Sequence, residues 1–181
     1  HRFSKEVLRP ASLELDKLED PEEVIKSPLF WSTMKKGYEL GYHTIFIPDT
    51  WGGIGLDPLE VHIVLEELGW GSADFTIGLG IACFPAFFAS MLPSDRLIEE
   101  IIEPLCNDTK ASIIGCWGIT EPEHGSDTLS PGTPEFRDPE ISGQTTAYLD
   151  GNEWVINGQK SAWVSNGTIA THSLVYLTID P

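Results

Sequence analysis

Between Gly118 and Ser130 the chain reads GITEPEHGSDTLS, a run whose residue types can hold a phosphate or the edge of a flat heterocycle. An apolar stretch leads into Thr120, Glu121 and Pro122, and a tight Gly125-Ser126-Asp127 corner follows. Thr120 and Ser126 bring hydroxyls, and a glycine at 125 lets a bulky ligand approach main-chain N–H groups. Such a concave set of donors suits a pyrophosphate or the carbonyl edge of an aromatic ring. The same letters also spell an ordinary strand-to-loop exit closed by an Asx or Ser turn. On residue types alone, both readings stay open.

Other conspicuous residues read more plainly. Trp51-Gly52-Gly53 is taken as a structural turn, because glycine pairs mark turns. His124 has no partner in view and is read as a loop histidine at the surface. Glu66, Glu67, Glu99 and Glu100 belong to solvated helix faces, and none is taken as a catalytic base. Cys83, Cys106 and Cys116 form neither a CxxC pair nor a Cys/His metal spacing. They read as reduced thiols of a cytoplasmic protein or one of an organellar matrix.

The elements that must position these groups fall into two halves. Helical patterning covers residues 2–17, interrupted near Pro10, and 28–42, with Leu29, Trp31, Met34 and Tyr38 on one stripe and FWSTM as core. HTIFIP reads as a short extended stretch. Asp57, Pro58 and Glu60 spell a capped helix start, followed by the stripe Val61, Val64, Leu65 and Leu68. Ser94 opens a last helix with Leu97, Ile98, Ile101, Ile102 and Leu105 on one face. From residue 111 the pattern turns to short β-branched runs, with an Asp150-Gly151-Asn152 hairpin signal. The expected fold is α+β: an all-α domain over residues 1–110, then part of an antiparallel β-barrel or sandwich domain over 111–181. Residues 131–143, rich in proline and charge, read as a solvent loop.

The formal charge of -17, from 28 acidic and 11 basic residues, argues against nucleic acid, whose phosphates demand Lys and Arg. The uncharged stretch between Asp74 and Asp95 has the length of a bilayer span, but its flanks are acidic and glycine and proline dilute it. It is read as a buried helix, not a span. No apolar h-region opens the chain, and the first residues begin as if the true start lay upstream.

Residues 118–130 resemble the first signature of the acyl-CoA dehydrogenase family: Gly118, Ile119, Thr120, Glu121, Gly125, Ser126, Asp127 and Ser130 match, and His124 stands where the family prefers a small residue. IPDTWGGIGLDPLEVHIVLEELG and NGQKSAWVSNG resemble two further family segments, in order, although Ser161-Ala162 adds one residue before Trp163. The resemblance implies FAD, with Trp117, Ile119 and Thr120 along the flavin ring. It places Gly125 and Ser126 at the pyrophosphate, Ser126 also beside the acyl-CoA, and Trp163, Val164 and Ser165 at the ring with Ser165 donating toward N5 and O4. A β-bulge at the extra residue would keep Trp163 on the flavin side. The implied reaction is α,β-dehydrogenation of an acyl-CoA thioester to the trans-2-enoyl-CoA. Its base would be a Glu of a C-terminal helical domain absent from this sequence. The resemblance further implies a homo-oligomer and an electron-transfer flavoprotein as electron acceptor, in the cytoplasm or the mitochondrial matrix. An oxidase or flavin monooxygenase of the same fold, and a non-catalytic subunit, are the alternatives.

Overall fold

In the computed structural model, residues 1–138, 140–161 and 164–179 are described. Two compact units form: His1–Cys116 with Ser165–His172, and Trp117–Val164 with Ser173–Pro181.

The first unit is helical, and its helix starts follow from local chemistry. Helices α1 (Arg9–Leu15), α2 (Pro21–Lys26), α3 (Pro28–Glu39), α4 (Pro58–Gly71), α5 (Ala73–Ala82), α6 (Phe84–Met91), α7 (Asp95–Leu97) and α8 (Glu103–Cys106) follow in order. Asp20, Ser27, Asp57, Ser72 and Ser94 each cap the helix that follows by accepting a hydrogen bond from a first-turn N–H. At α4 the box is reciprocal: Asp57 accepts from the Glu60 N–H, and Glu60 accepts from the Asp57 N–H at 2.9 Å.

Pro10 does not interrupt its helix. A π-helical turn, Ser4–Leu8, precedes α1, and a second, Ile98–Ile102, precedes α8 with its Pro104. A proline ring clashes with the carbonyl four residues back, and a wider π turn relieves that clash without ending the helix. HTIFIP is not extended either. Tyr42–Thr44 forms a 3₁₀ turn entered through Gly41 at φ 77°, and Ile45 and Ile47 are buried by that compact turn. Within FWSTM only Thr33 and Met34 are buried. Trp31 lies off the Leu29–Met34–Tyr38 face and donates its indole N–H to the Ile25 carbonyl at 2.7 Å.

Two apolar clusters hold this unit together. Leu8, Leu15, Met34, Tyr38, Leu68, Phe75 and Leu79 form one; Ile47, Cys83, Ala86, Ile102 and Leu105 form the other. The α3–α5 approach depends on Gly37, where an added Cβ would lie 2.7 Å from Leu79 Cδ2. The uncharged stretch is two helices, α5 and α6, bent by 41° at a break next to Pro85. Among the described residues no single helix is long and apolar enough to cross a membrane. Neither helix is buried on all sides, since Ile77 and Met91 are exposed. Buried polar groups are few. His43 stacks on Tyr38 at 3.9 Å between centroids and donates from Nε2 to the Leu105 carbonyl, and Tyr38 donates to the Ile113 carbonyl at 2.8 Å.

The strands are β1 (Gly115–Gly118), β2 (Thr146–Asp150), β3 (Glu153–Asn157), β4 (His172–Val175) and β5 (Thr178–Ile179). β1 pairs with β4, and the second sheet has the order β3-β2-β5. β2 and β3 form the expected antiparallel hairpin, with Asp150 opposite Glu153 and Gly151 at φ 62° in the loop. β5 differs from the antiparallel expectation by pairing parallel to β2, Thr146 opposite Thr178. The chain between β3 and β5 is long enough for a crossover, which parallel pairing requires.

Candidate functional site

Strand β1 ends at Gly118, and the signature run turns through Pro122 into a 3₁₀ turn, Ser126–Leu129. Its anchor is Glu121. The carboxylate accepts from the Gln144 N–H, from the Thr145 N–H at 2.9 Å and from Lys160 Nζ at 2.6 Å. Its side chain is 3% exposed and that of Lys160 15%, so the pair is shielded from water. Burial alone pushes the Glu121 carboxyl up, but Lys160 and the backbone donors outweigh it and hold the group at about 2. Glu123 and Gln144 add a reciprocal clasp: the Glu123 N–H donates to the Gln144 side chain, whose amide donates back to the Glu123 carboxylate at 3.0 Å. The run is thereby tied to the start of β2 and to the Lys160 segment.

The corner itself is closed by Asp127, which accepts from the Gly125 N–H at 2.6 Å and from His124 Nδ1 at 2.8 Å. That hydrogen bond with Asp127 raises the His124 pKa and lowers that of Asp127. These residues face a groove of about 820 Å³ whose walls include Ile119, Glu121, His124, Gly125, Ser126 and Lys160. The size lies within the range of small-molecule and cofactor sites. Residues 131–143 are mostly exposed, as their composition suggests, yet Phe136, Ile141 and Gly143 form part of a groove wall. A separate cavity of about 270 Å³ in the helical unit is walled mainly by Leu15, Val24, Phe30, Met34 and Phe75. Convergent polar groups favour the groove as the functional site.

The expected site residues fall unevenly. Ile119, Gly125 and Ser126 share the groove. Thr120 is half-buried, and its carbonyl accepts from the Ser161 N–H at 2.9 Å. Trp117 stands edge-on to Tyr176 at 5.9 Å. Val164 is half-buried in the second unit. Ser165 belongs to the helical unit, followed by Asn166 at φ 63°, whose side-chain amide donates to the Gly78 and Gly115 carbonyls. Trp163 and Ala162, and with them the expected β-bulge, lie outside the described residues. Trp51-Gly52-Gly53 is structural: a Cβ on Gly53 would fall 1.9 Å from the Ile47 carbonyl oxygen. Glu66, Glu99 and Glu100 are exposed, and Glu67 meets His1 at 2.9 Å. The sequence alone assigned no role to Glu121 or Lys160, although each lies inside a family-like segment. An acid and a lysine in two segments that each resemble one family were the available signal.

The groove's fit to a phosphate-bearing flavin rests on Gly125 and Ser126. A Cβ added at Gly125 would meet nothing within 4 Å, so a ligand can approach the main chain there. The Gly125 N–H is already taken by Asp127, and the Ser126 N–H and hydroxyl stand next to it at the corner.

The first unit is helical and the second carries small sheets, with a hydroxyl-and-amide corner braced by a shielded ion pair. The chain belongs to the acyl-CoA dehydrogenase family: the family model "Acyl-CoA dehydrogenase, N-terminal domain" matches residues 1–105. The chain is 30% identical over 180 residues to the mitochondrial short-chain specific acyl-CoA dehydrogenase of Rattus norvegicus, covering 98% of this chain and 38% of that protein. Among solved structures, a putative acyl-CoA dehydrogenase from Mycobacterium smegmatis aligns with a TM-score of 0.68 at 26% identity, over 97% of this chain and 40% of that one. An acyl-CoA dehydrogenase from Bacillus anthracis complexed with FAD aligns with a TM-score of 0.65 at 25% identity, over 99% and 28%. The sequence thus spans well under half of the relatives it matches.

Proposed function

We propose that the full-length protein dehydrogenates an acyl-CoA thioester between Cα and Cβ, and that residues 111–181 form part of its FAD-binding β domain, behind a helical domain of residues 1–110. The observation that carries this reading is the braced corner at Gly125-Ser126, open to a groove and held by Glu121 and Lys160. Bound FAD supplies the two-electron acceptor. Ser126 holds phosphate through its N–H and hydroxyl and borders the acyl-CoA. Trp117, Ile119 and Thr120 lie along the ring, with Val164 against it. Ser165 donates a hydrogen bond where negative charge builds, which is the contact that lowers a barrier rather than merely binding. A carboxylate outside residues 1–181 takes the α-proton. A homo-oligomer that passes electrons to an electron-transfer flavoprotein fits the family, in the cytoplasm or, in a eukaryote, the mitochondrial matrix.

The test is spectroscopic. Full-length protein should carry a flavin that acid precipitation releases, and the flavin absorbance should bleach anaerobically with at least one member of an acyl-CoA panel. A flavin-free preparation, or a flavin that no acyl-CoA bleaches, would overturn the proposal.

A further inference from the structure

His124 departs from the pattern its neighbours match, and the geometry gives the departure a use. Resting on the flavin reading of the same groove, we propose that His124 is an anion-binding residue, donating from Nε2–H to a phosphoryl oxygen of the ligand seated on Ser126. Three observations converge. The imidazole lines the groove beside Gly125 and Ser126, and its side chain is 18% exposed. Asp127 engages Nδ1 at 2.8 Å, while Nε2 has no partner among the described residues. With Nδ1–H committed to the carboxylate, the neutral ring offers only a lone pair at Nε2; protonation turns that atom into a donor. The exchange of a small residue for His therefore adds a switchable donor next to a phosphate position.

Charge balance points the same way. The groove also carries Glu121, Glu123, Asp127, Glu135 and Lys160. Lys160 offsets Glu121, and protonated His124 offsets Asp127 at the corner. Without the imidazolium, Asp127 stands uncompensated beside the ligand's negative charge. Asp127 raises the His124 pKa, as do Glu121 and Glu123, and burial opposes them. Protonation, and with it anion affinity, is complete at the acid end and is lost as pH rises through that raised value. The phosphoryl group belongs either to FAD or to the CoA moiety.

The experiment compares full-length wild type with H124A and H124Q over roughly pH 6 to 9, bracketing ordinary histidine titration. FAD and riboflavin are titrated into apoprotein, and CoA into the flavin-loaded protein. Losing a charge-assisted hydrogen bond should weaken the phosphate-bearing ligand about ten-fold or more in H124A at the acid end. Riboflavin, which lacks phosphate, should bind unchanged. H124Q, whose amide donates without titrating, should retain part of the affinity and show no step with pH beyond that of the ligand. A loss confined to FAD assigns the contact to the flavin pyrophosphate, and a loss confined to CoA assigns it to the CoA phosphates. Equal affinities in wild type and H124A overturn the inference, and so does an equal loss for riboflavin, which marks mere loop support. If wild type binds no flavin, the functional proposal fails, and inorganic pyrophosphate then decides this one: equal binding by wild type and H124A overturns it.

Discussion

Ser165 is proposed to act on the flavin, whereas Glu121 holds the corner in place. If Ser165 donates to the flavin where charge accumulates, Ser165→Ala in the full-length protein should slow flavin reduction by about 10² to 10³ while FAD affinity changes little. Anaerobic stopped-flow reduction beside an FAD titration checks this, and an unchanged reduction rate would remove Ser165 from the chemistry. Glu121 works by holding. Its carboxylate joins Lys160, Gln144 and Thr145, so Glu121→Ala leaves a shielded lysine unpaired and should cost about 3–5 kcal/mol, as breaking buried pairs does. The double variant E121M/K160M should recover much of that loss in urea denaturation, because no lone charge remains. Of these two, only Ser165 was assigned a role from the sequence, through the family resemblance. The Glu121–Lys160 pair joins residues 39 apart, and no local pattern announces that a lysine will fold back onto an acid.

At the scale of elements, the helix start at Asp57 was legible from neighbouring residues, whereas HTIFIP, read as extended, folds into a 3₁₀ turn. Asp57, Pro58 and Glu60 sit within four positions of one another, and the capping box forms as their types dictate. Asp57→Ala should cost about 1 kcal/mol through the lost N-cap, seen as a lower urea midpoint with unchanged slope; no shift would mean that tertiary packing alone fixes α4. What failed depended on geometry that single positions do not encode. Pro10 read as a break, but a π turn placed just before it lets the helix continue. The direction of β5 is set by where a crossover returns the chain, not by the composition of Thr178–Ile179. Asn166 is visible as part of an Asn-Gly pair, yet its reach to Gly78 and Gly115 appears only once distant segments meet.

For the whole molecule, acid sensitivity follows from two buried groups. Burial, opposed by the bond to the Leu105 carbonyl, holds the His43 imidazole at about 4, below its ordinary 6.5. The unfolded chain therefore takes up this proton first, and stability should fall as pH drops from about 6.5 to about 4, by about 3 kcal/mol in all. Glu121 runs the other window. Its folded value is about 2, so its stabilisation is full above the ordinary 4.5 and is lost as pH falls toward 2. Urea midpoints of the full-length protein at a series of pH values test both, and His43→Gln should flatten only the upper decline. A midpoint that stays constant between pH 6.5 and 4 would contradict the buried neutral imidazole.

The thiols offer a further consequence. Cys83 is fully buried, and burial pushes its thiol up to about 12; Cys106, half-buried in α8, is pushed up to about 11. Alkylating reagents consume thiolate, so neither should react at an appreciable rate while the helices stay closed. The two sulfurs thus act as internal clocks for motion. Labelling of Cys106 ahead of Cys83 in a mass-resolved time course would report fraying of the last helix before the core opens. Simultaneous labelling would report that this unit opens all at once.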